Sequence, residues 1–178
     1  LDISVKDDAA GWAFKLDARV IDNHSLRREF DGDPSLLVGF EEGAWWVQDA
    51  AAALPARLLH IRKDEAVIDS CAAPGGKPAQ LIAAGGRVTA IDKSRKRLDR
   101  LRRNLKRLKL PAKLVLADGV DYCPDAPVDA VLVDVPCSAT GTVRRRPDIL
   151  NQREAGDIIA LQQIQWDLVT NALGWLRS

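Results

Sequence analysis

Two short segments of this chain combine residue types that can do chemistry at close spacing. The first, SCAAPGGKP, runs from Ser70 to Pro78 and sets a cysteine, two adjacent glycines and a lysine between an apolar run and a helix-like segment. The second, DVPCSATG, covers residues 134–141 and places Cys137 directly after Pro136. Such segments can form a phosphate-binding loop, a reactive thiol site or a cofactor-binding turn, and residue spacing helps to distinguish these.

The first segment does not match the phosphate-binding loop Gly-x-x-x-x-Gly-Lys-Ser/Thr. Aligned on Gly76 and Lys77, it has Cys71 in place of the first glycine and Pro78 in place of the hydroxyl that binds magnesium. The dinucleotide pattern Gly-x-Gly-x-x-Gly fails too, because residues 71–76 supply glycine only at the end. What remains is a tight strand-to-helix turn, in which the backbone can approach a ligand and free N–H groups face a carboxylate.

Aspartates follow three later apolar runs, at Asp92, Asp118 and Asp134. Parallel sheets bind ligands beyond the carboxyl ends of their strands, and an acid about 20 residues after the turn commonly holds a ribose diol. Asp92 has that spacing, and Asp118 is placed to accept from an adenine amino group. Adenosine plus an amino-acid carboxylate describes S-adenosylmethionine, which we expect as cofactor. The alternative is that these acids only cap helices and form turns.

Cys137 has two interpretations on residue type alone. A single cysteine is usually a buried structural residue, but a proline-stiffened loop of small polar residues equally favours a functional thiol, which could add to the electron-poor carbon of a pyrimidine. With Cys71 and Cys123 it forms no Cys-x-x-Cys pair, and neither His24 nor His60 lies at zinc-ligand spacing. We therefore expect reduced thiols, no metal site and a cytoplasmic protein.

Basic residues are concentrated although the net charge is only +1. Residues 93–109, KSRKRLDRLRRNLKRLK, hold ten basic residues and one acid. One such run is often only a solvated helix face. A second basic cluster, RRR at residues 144–146, lies near the same motifs, and the two together favour a polyanionic partner. As the residues that would contact this polyanion we expect Arg95, Arg102, Arg103, Arg144, Arg145 and Arg146.

Strands and helices alternate from residue 65 onward and must position these residues. The runs AVIDS, RVTAID, AKLVLAD and VDAVLVDVP predict four strands. Helices are predicted to start at Pro78 and after the N-cap Ser94, and a last one to place Ile158, Leu161, Leu168 and Trp175 on one face. This alternation predicts an α/β fold with a mostly parallel sheet.

Residues 1–48 predict a small β-rich lead-in to a domain at 49–178. LDISVK, GWAFKL, SLLVGF and AWWVQ are short strand-like runs separated by Asp, Gly and Asn. Asp49 then caps a helix that Pro55 is expected to interrupt. No apolar run approaches the roughly 20 residues of a membrane helix, so we expect no membrane partner; oligomeric state stays open.

The segments DSCAAPGGKP and DVPCSATGTVRRRPDI, with GFEEGAWWVQDAAA before them, resemble the signature segments of RNA cytosine-C5 methyltransferases of the Sun/Fmu/RsmB type. The resemblance covers about residues 36–175 and departs from the family at Pro78, where threonine is usual. It implies a Rossmann-like class I methyltransferase domain that methylates carbon 5 of a cytosine in RNA, with 16S ribosomal RNA as the expected substrate. The residues implied to line the S-adenosylmethionine site are Cys71, Ala72, Ala73, Pro74, Gly75, Gly76, Lys77, Asp92, Asp118 and Asp134.

The family uses two cysteines, and the resemblance places only one of them here. Cys137 corresponds to the Pro-Cys thiol that is associated with product release, whereas the attacking thiol lies in a later Thr-Cys motif that does not occur before Ser178. We therefore expect a fragment without the last strands of the sheet, inactive alone. Two alternatives stay open: a non-catalytic module that binds cofactor or RNA, and a cytosine methyltransferase that uses Cys137 as nucleophile.

Overall fold

The structure, a computed structural model, describes residues 1–143, 147–151 and 155–177. Its first part is a four-stranded antiparallel sheet with one helix. The elements are β1 (Asp2–Val5), α1 (Ala9–Lys15), β2 (Arg19–Asp22), β3 (Ser25–Arg27) and β4 (Trp45–Val47), and the strand order is β2-β3-β1-β4. Ala13 and Leu16 pack on Ile3, Leu26 and Trp45 in a small core. The predicted β-rich lead-in is confirmed.

One run predicted as a strand in this lead-in is helical. All of GWAFKL but its last residue, the C-cap Leu16, lies within α1, where the Asp8 carboxylate accepts a hydrogen bond from Gly11 N at 3.0 Å and caps the helix. Ala9 and Ala13, four residues apart, are buried, whereas Phe14 is 90% exposed. The prediction was wrong because the β-propensity of Trp and Phe masked a helical period.

The run SLLVGF was also predicted as a strand and is not one. It contains the end of a 3₁₀ turn at Pro34–Leu36 and further turns, and Leu36 and Val38 are exposed. The Asp33 carboxylate accepts from Ser35 N at 2.8 Å, so a local side-chain bond holds the turn. β2 and β3 were not predicted, because their Arg, Asp and Ser residues conceal the alternation of a strand.

The second part is a parallel sheet with helices on both faces, which confirms the predicted α/β class. Its elements are α2 (Ala50–Leu58), β5 (Ala66–Ser70), α3 (Gly76–Ala83), β6 (Arg87–Asp92), α4 (Arg95–Leu108), β7 (Lys113–Leu116), β8 (Ala130–Val133) and α5 (Ala155–Leu173). The strand order is β7-β6-β5-β8, and every neighbouring pair is parallel. All four strands therefore end at the same edge.

Alternating residues of the sheet pack on two different layers. Val67 and Ala90 belong to the core formed with α3 and α4. Ile68 and Ile91, one residue further along, belong to the core formed with Ala172 of α5. This two-sided burial explains why β5 and β6 are nearly continuous apolar runs.

Two helix predictions need correction at their boundaries. α2 continues through Pro55, because its buried side holds Ala53 and Ala56 while Pro55 lies exposed on the other side. α3 begins at Gly76 rather than Pro78, because Gly75 takes the left-handed conformation (φ +111°) that lets the turn enter the helix earlier.

The predicted apolar face of α5 is only partly buried. Leu168 is buried, and so is Trp175 just beyond the helix, but Ile158 near its start is 52% exposed. The C-terminal half of the helix therefore does most of the packing on the sheet. No helix in the described part of the chain is long and apolar enough to cross a membrane.

Candidate cofactor-binding site

A cleft opens where the parallel strands end. Four of the predicted cofactor residues line it: Cys71, Asp92, Asp118 and Asp134. Ile164 and Leu168 of α5 contribute apolar side chains from the opposite side. Carboxylates on one wall and apolar groups on another suit a ligand with a polar sugar and a flat apolar ring.

The turn after β5 contributes Cys71 to the lining of this cleft, whereas the other predicted residues of the turn, Ala72 to Lys77, are not among the lining residues. Ala72 and Ala73 are buried, and Ala72 N donates to Ile91 O at 2.9 Å. Pro74 is exposed, and its carbonyl accepts from Asn104 Nδ2 of α4 at 2.8 Å. A Cβ on Gly75 would lie only 3.4 Å from Leu101 Cγ, so the backbone itself packs on α4.

Asp92 organises the turn from the neighbouring strand. Its carboxylate accepts from Ser94 N at 2.9 Å and from Ala73 N at 3.3 Å, and lies 3.2 Å from Arg97 Nη2. Arg97 also donates to Ala73 O at 2.9 Å. Asp92 is 2% exposed, so the charge is buried but hydrogen-bonded. Its contact with a ribose stays a prediction.

Lys77 faces two carboxylates, one of which was not among the predicted site residues. Its Nζ lies 2.6 Å from Asp134 Oδ2, at the opening of the cleft. Asp69 is completely buried, and neither of its oxygens has a hydrogen-bond partner among the described residues. Burial raises the pKa of Asp69 well above its ordinary value; the nearby charge of Asp134 raises it further and Lys77 partly offsets this.

The turn after β7 forms the wall beside Asp118. Val120 N donates to Asp118 Oδ1 at 3.2 Å, and Lys93 Nζ lies 3.3 Å from Asp118 Oδ2. Gly119 packs closely against two neighbouring side chains, since a Cβ there would lie 2.4 Å from Ser70 Oγ and 2.8 Å from Leu168 Cδ2.

The two candidate thiols differ in environment. Cys137 is exposed and follows Pro136, which lines the cleft. Cys71 is partly buried, and burial raises the pKa of its thiol above the ordinary value. A raised pKa disfavours the thiolate, so Cys71 fits a structural place in the turn better than a nucleophile.

α4 presents its basic residues to solvent. Leu98, Leu101, Leu105 and Leu108 are buried at spacings of three and four, as predicted. Arg95, Arg102 and Arg103 are exposed, and Arg102 pairs with Asp99 on the same helix. The helix is about 21 Å long at 1.5 Å per residue. The other expected RNA contacts, Arg144, Arg145 and Arg146, lie outside the described residues.

Five residues of the site were not predicted. Arg97 was counted only as one charge of a basic run, and Asp69 only as the end of a strand. Ile164 and Leu168 carry no local signal, because their role depends on α5 crossing the end of the sheet. Gly119 had a usable signal, since a glycine directly after a strand-ending aspartate is typical of a ligand-binding turn.

The chain is similar to known proteins over most of its length. Residues 56–178 match the family model described as 16S rRNA methyltransferase RsmB/F. Ribosomal RNA small subunit methyltransferase B of Pseudomonas putida is 45% identical over 139 residues, which cover 75% of this chain and 32% of that protein. The same-named protein of Proteus mirabilis is 42% identical over 164 residues, 88% of this chain and 39% of that protein. The chain thus spans about a third of the length of these relatives.

Solved structures are similar over both parts of the chain. The crystal structure of a protein described as PH0851 superposes with a TM-score of 0.89 over 99% of this chain and 44% of that chain, at 25% identity. The crystal structure of NSun6 from Pyrococcus horikoshii with SFG has a TM-score of 0.72 at 35% identity, covering 82% of this chain and 38% of that one. The antiparallel sheet and the parallel sheet therefore occur together elsewhere.

Proposed function

This chain belongs to the 16S rRNA methyltransferase RsmB/F family, and we propose that it is the cofactor-binding part of an enzyme that transfers a methyl group from S-adenosylmethionine to carbon 5 of a cytosine in 16S ribosomal RNA. The observation that carries the proposal is the convergence of Cys71, Asp92, Asp118 and Asp134 on one cleft at the strand ends. The names of the curated relatives support ribosomal RNA as the substrate.

The described residues fit an adenosine-containing cofactor. Gly119 lines the cleft beside Asp118 and has no side chain to keep a flat ring away from its backbone. Asp118 beside it would accept from the adenine amino group, Asp92 would hold the ribose, and the free N–H groups at the start of α3 would face the carboxylate. When bound, S-adenosylmethionine supplies an electrophilic methyl group.

The role proposed for Cys137 comes from the family resemblance, and the chemistry of the cytosine ring defines the reaction in which it acts. Carbon 5 becomes nucleophilic only after a thiolate has added to carbon 6, and the adduct is resolved when a base removes the carbon-5 proton and the thiolate leaves. Cys137 is exposed at the cleft and can reach a base that is unstacked from RNA. We assign it to product release, with the attacking thiolate supplied by a second cysteine.

The cofactor proposal predicts stabilisation by ligand. S-adenosylmethionine, or its demethylated product, should raise the free energy of unfolding by about 2.7 kcal/mol at a free concentration 100 times Kd. Thermal unfolding with each ligand, compared with adenosine alone, measures this. The proposal would be contradicted if neither S-adenosylmethionine nor its demethylated product stabilised the fold.

Cys137 can be tested as nucleophile by trapping. We expect no covalent adduct between this chain and RNA that contains 5-fluorocytosine, and no transfer of tritiated methyl groups, because the attacking thiol is a different one. Denaturing gel electrophoresis with Cys137→Ser as control measures the adduct. A Cys137-dependent adduct would instead support the reading in which Cys137 attacks carbon 6.

Exposed basic residues of α4 are proposed to contact RNA phosphates. The double variant Arg95→Gln/Arg103→Gln should weaken RNA binding about tenfold and lower the slope of log K against log salt by about 1 to 2. Arg19→Gln/Lys63→Gln removes two exposed charges elsewhere and serves as matched control. Equal losses in both double variants would show that net charge, not α4, governs binding; filter binding over a salt series measures this.

A further inference from the structure

We propose that α5 holds in place the two loops that flank the cofactor cleft, and that Gln165 and Asn171 are the positioning residues. Gln165 Nε2 donates to Pro136 O at 2.7 Å. Asn171 Nδ2 donates to Gly119 O at 2.8 Å and to Tyr122 O at 2.9 Å. The two amides are six residues apart, about 9 Å along the helix, so one rigid element ties two separate loops.

The bond from Gln165 sets the backbone that carries Cys137. The Pro136 carbonyl belongs to the peptide group that joins Pro136 to Cys137, and because that group is planar, holding its oxygen also orients Cys137 N. The start of the loop is tied on the other side, where Asp134 N donates to Ser70 O at 3.3 Å and its carboxylate contacts Lys77. Gln165 therefore helps to fix the orientation of the backbone at Cys137, which follows the end of β8.

The bonds from Asn171 close the turn that follows Asp118. One amide group bridges the carbonyls of Gly119 and Tyr122, and Trp175 Nε1 donates to the same Tyr122 carbonyl at 3.1 Å. Gly119 directly follows Asp118, so this bridge holds the wall that we assign to adenine.

The same helix also touches the space where the ligand would lie. Ile164 and Leu168, on either side of Gln165 in sequence, line the cleft. A ligand packed on these side chains orders the helix that holds both loops, and by linkage the loops and the ligand stabilise each other. This consequence rests on the proposed cofactor, whereas the two ties themselves do not.

Hydrogen exchange followed by mass spectrometry tests the ties one at a time. Gln165→Met keeps the length of the side chain but cannot donate, and should speed exchange of residues 135–143 about tenfold while residues 119–123 stay as they are. Asn171→Leu should speed exchange of residues 119–123 and leave residues 135–143 as they are. Gln163→Met is the matched control, because among the described residues Gln163 donates to Asp167 of its own helix, at 2.8 Å, and to neither loop.

Two outcomes would overturn the proposal: unchanged exchange in the loop that a variant is meant to release, or equal loosening of both loops by either variant. Should Gln165→Met fail to fold, Gln165→Glu keeps the shape and also lacks the donor. Calorimetric titration with S-adenosylhomocysteine adds a second readout, in which Asn171→Leu weakens binding about tenfold and Gln165→Met leaves it within about twofold. Failure of the unaltered chain to bind this ligand would count against the proposed function alone, since the exchange pattern needs no ligand.

Discussion

Replacing Asp92 with alanine is expected to weaken binding of S-adenosylhomocysteine by roughly 100-fold and to lower the free energy of unfolding by about 3 kcal/mol. The carboxylate is buried and joins three groups: Ser94 N, Ala73 N and the Arg97 guanidinium. Its removal leaves those donors without their acceptor and frees the turn from the start of α4. A charge-assisted contact to the ribose would be lost as well.

Calorimetric titration and urea unfolding measure the two effects separately. Asp92→Asn separates them further, because it keeps the shape and one acceptor oxygen while losing the charge. The control is Asp99→Ala, which removes the partner of Arg102 on the exposed side of α4 and should cost less than about 1 kcal/mol. If a folded Asp92→Ala protein bound the ligand with normal affinity, Asp92 would not be a ligand-binding residue.

The position of the cleft at the strand ends could be predicted from sequence because its signals are local, whereas its role in cofactor binding stays a prediction. β5 and β6 are apolar runs with boundaries that the structure reproduces, and Ser94 does cap α4, accepting from Arg97 N at 3.4 Å. Once the strands are known to be parallel, their ends must meet at one edge. The predicted boundary at residues 48 and 49 stays a prediction.

The remaining features depend on contacts between distant segments. Gln165 meets Pro136 from 29 residues away, and Asn171 meets Gly119 from 52 away. No rule based on residue spacing predicts that a Gln or Asn side chain of the last helix will hydrogen-bond to a loop earlier in the sequence. The strand predicted at GWAFKL failed for another reason: α1 is a seven-residue helix, too short for its period to outweigh two aromatic residues.

Asp69 could not be recognised as unusual from sequence either, because an aspartate at a strand end is ordinarily solvated. Here its carboxyl is fully buried and has no hydrogen-bond partner among the described residues, which costs stability whenever it is ionised. Stable proteins seldom keep such a group without use, and departures from local rules concentrate at functional sites. Lys77 is the cation nearby that lowers its pKa.

The second large effect is therefore expected from Lys77→Met, with a loss of about 3 kcal/mol near pH 8 and a much smaller loss near pH 4. The folded-state pKa of Asp69 lies above its unfolded value of about 3.9. The folded state then binds more protons, so this group makes stability fall as pH rises from the unfolded pKa to the folded one. Lys77 opposes that upward shift of the Asp69 pKa. Its removal therefore widens the pH range over which stability falls and increases the free energy of unfolding that is lost at high pH.

Urea unfolding of four proteins at several pH values tests this coupling. Asp69→Asn removes the titrating group, so it should raise stability by about 1 kcal/mol near pH 8 and flatten the pH dependence. In the double variant, Asp69→Asn should restore about 1 to 3 kcal/mol of the free energy of unfolding that Lys77→Met removes, because the two side chains interact. Lys93→Met, which removes an exposed partner of Asp118, controls for loss of one positive charge at the cleft. Additive effects of Lys77→Met and Asp69→Asn at every pH would mean that Lys77 does not stabilise the buried carboxylate, and that its contact with Asp134 alone accounts for its place beside the cleft.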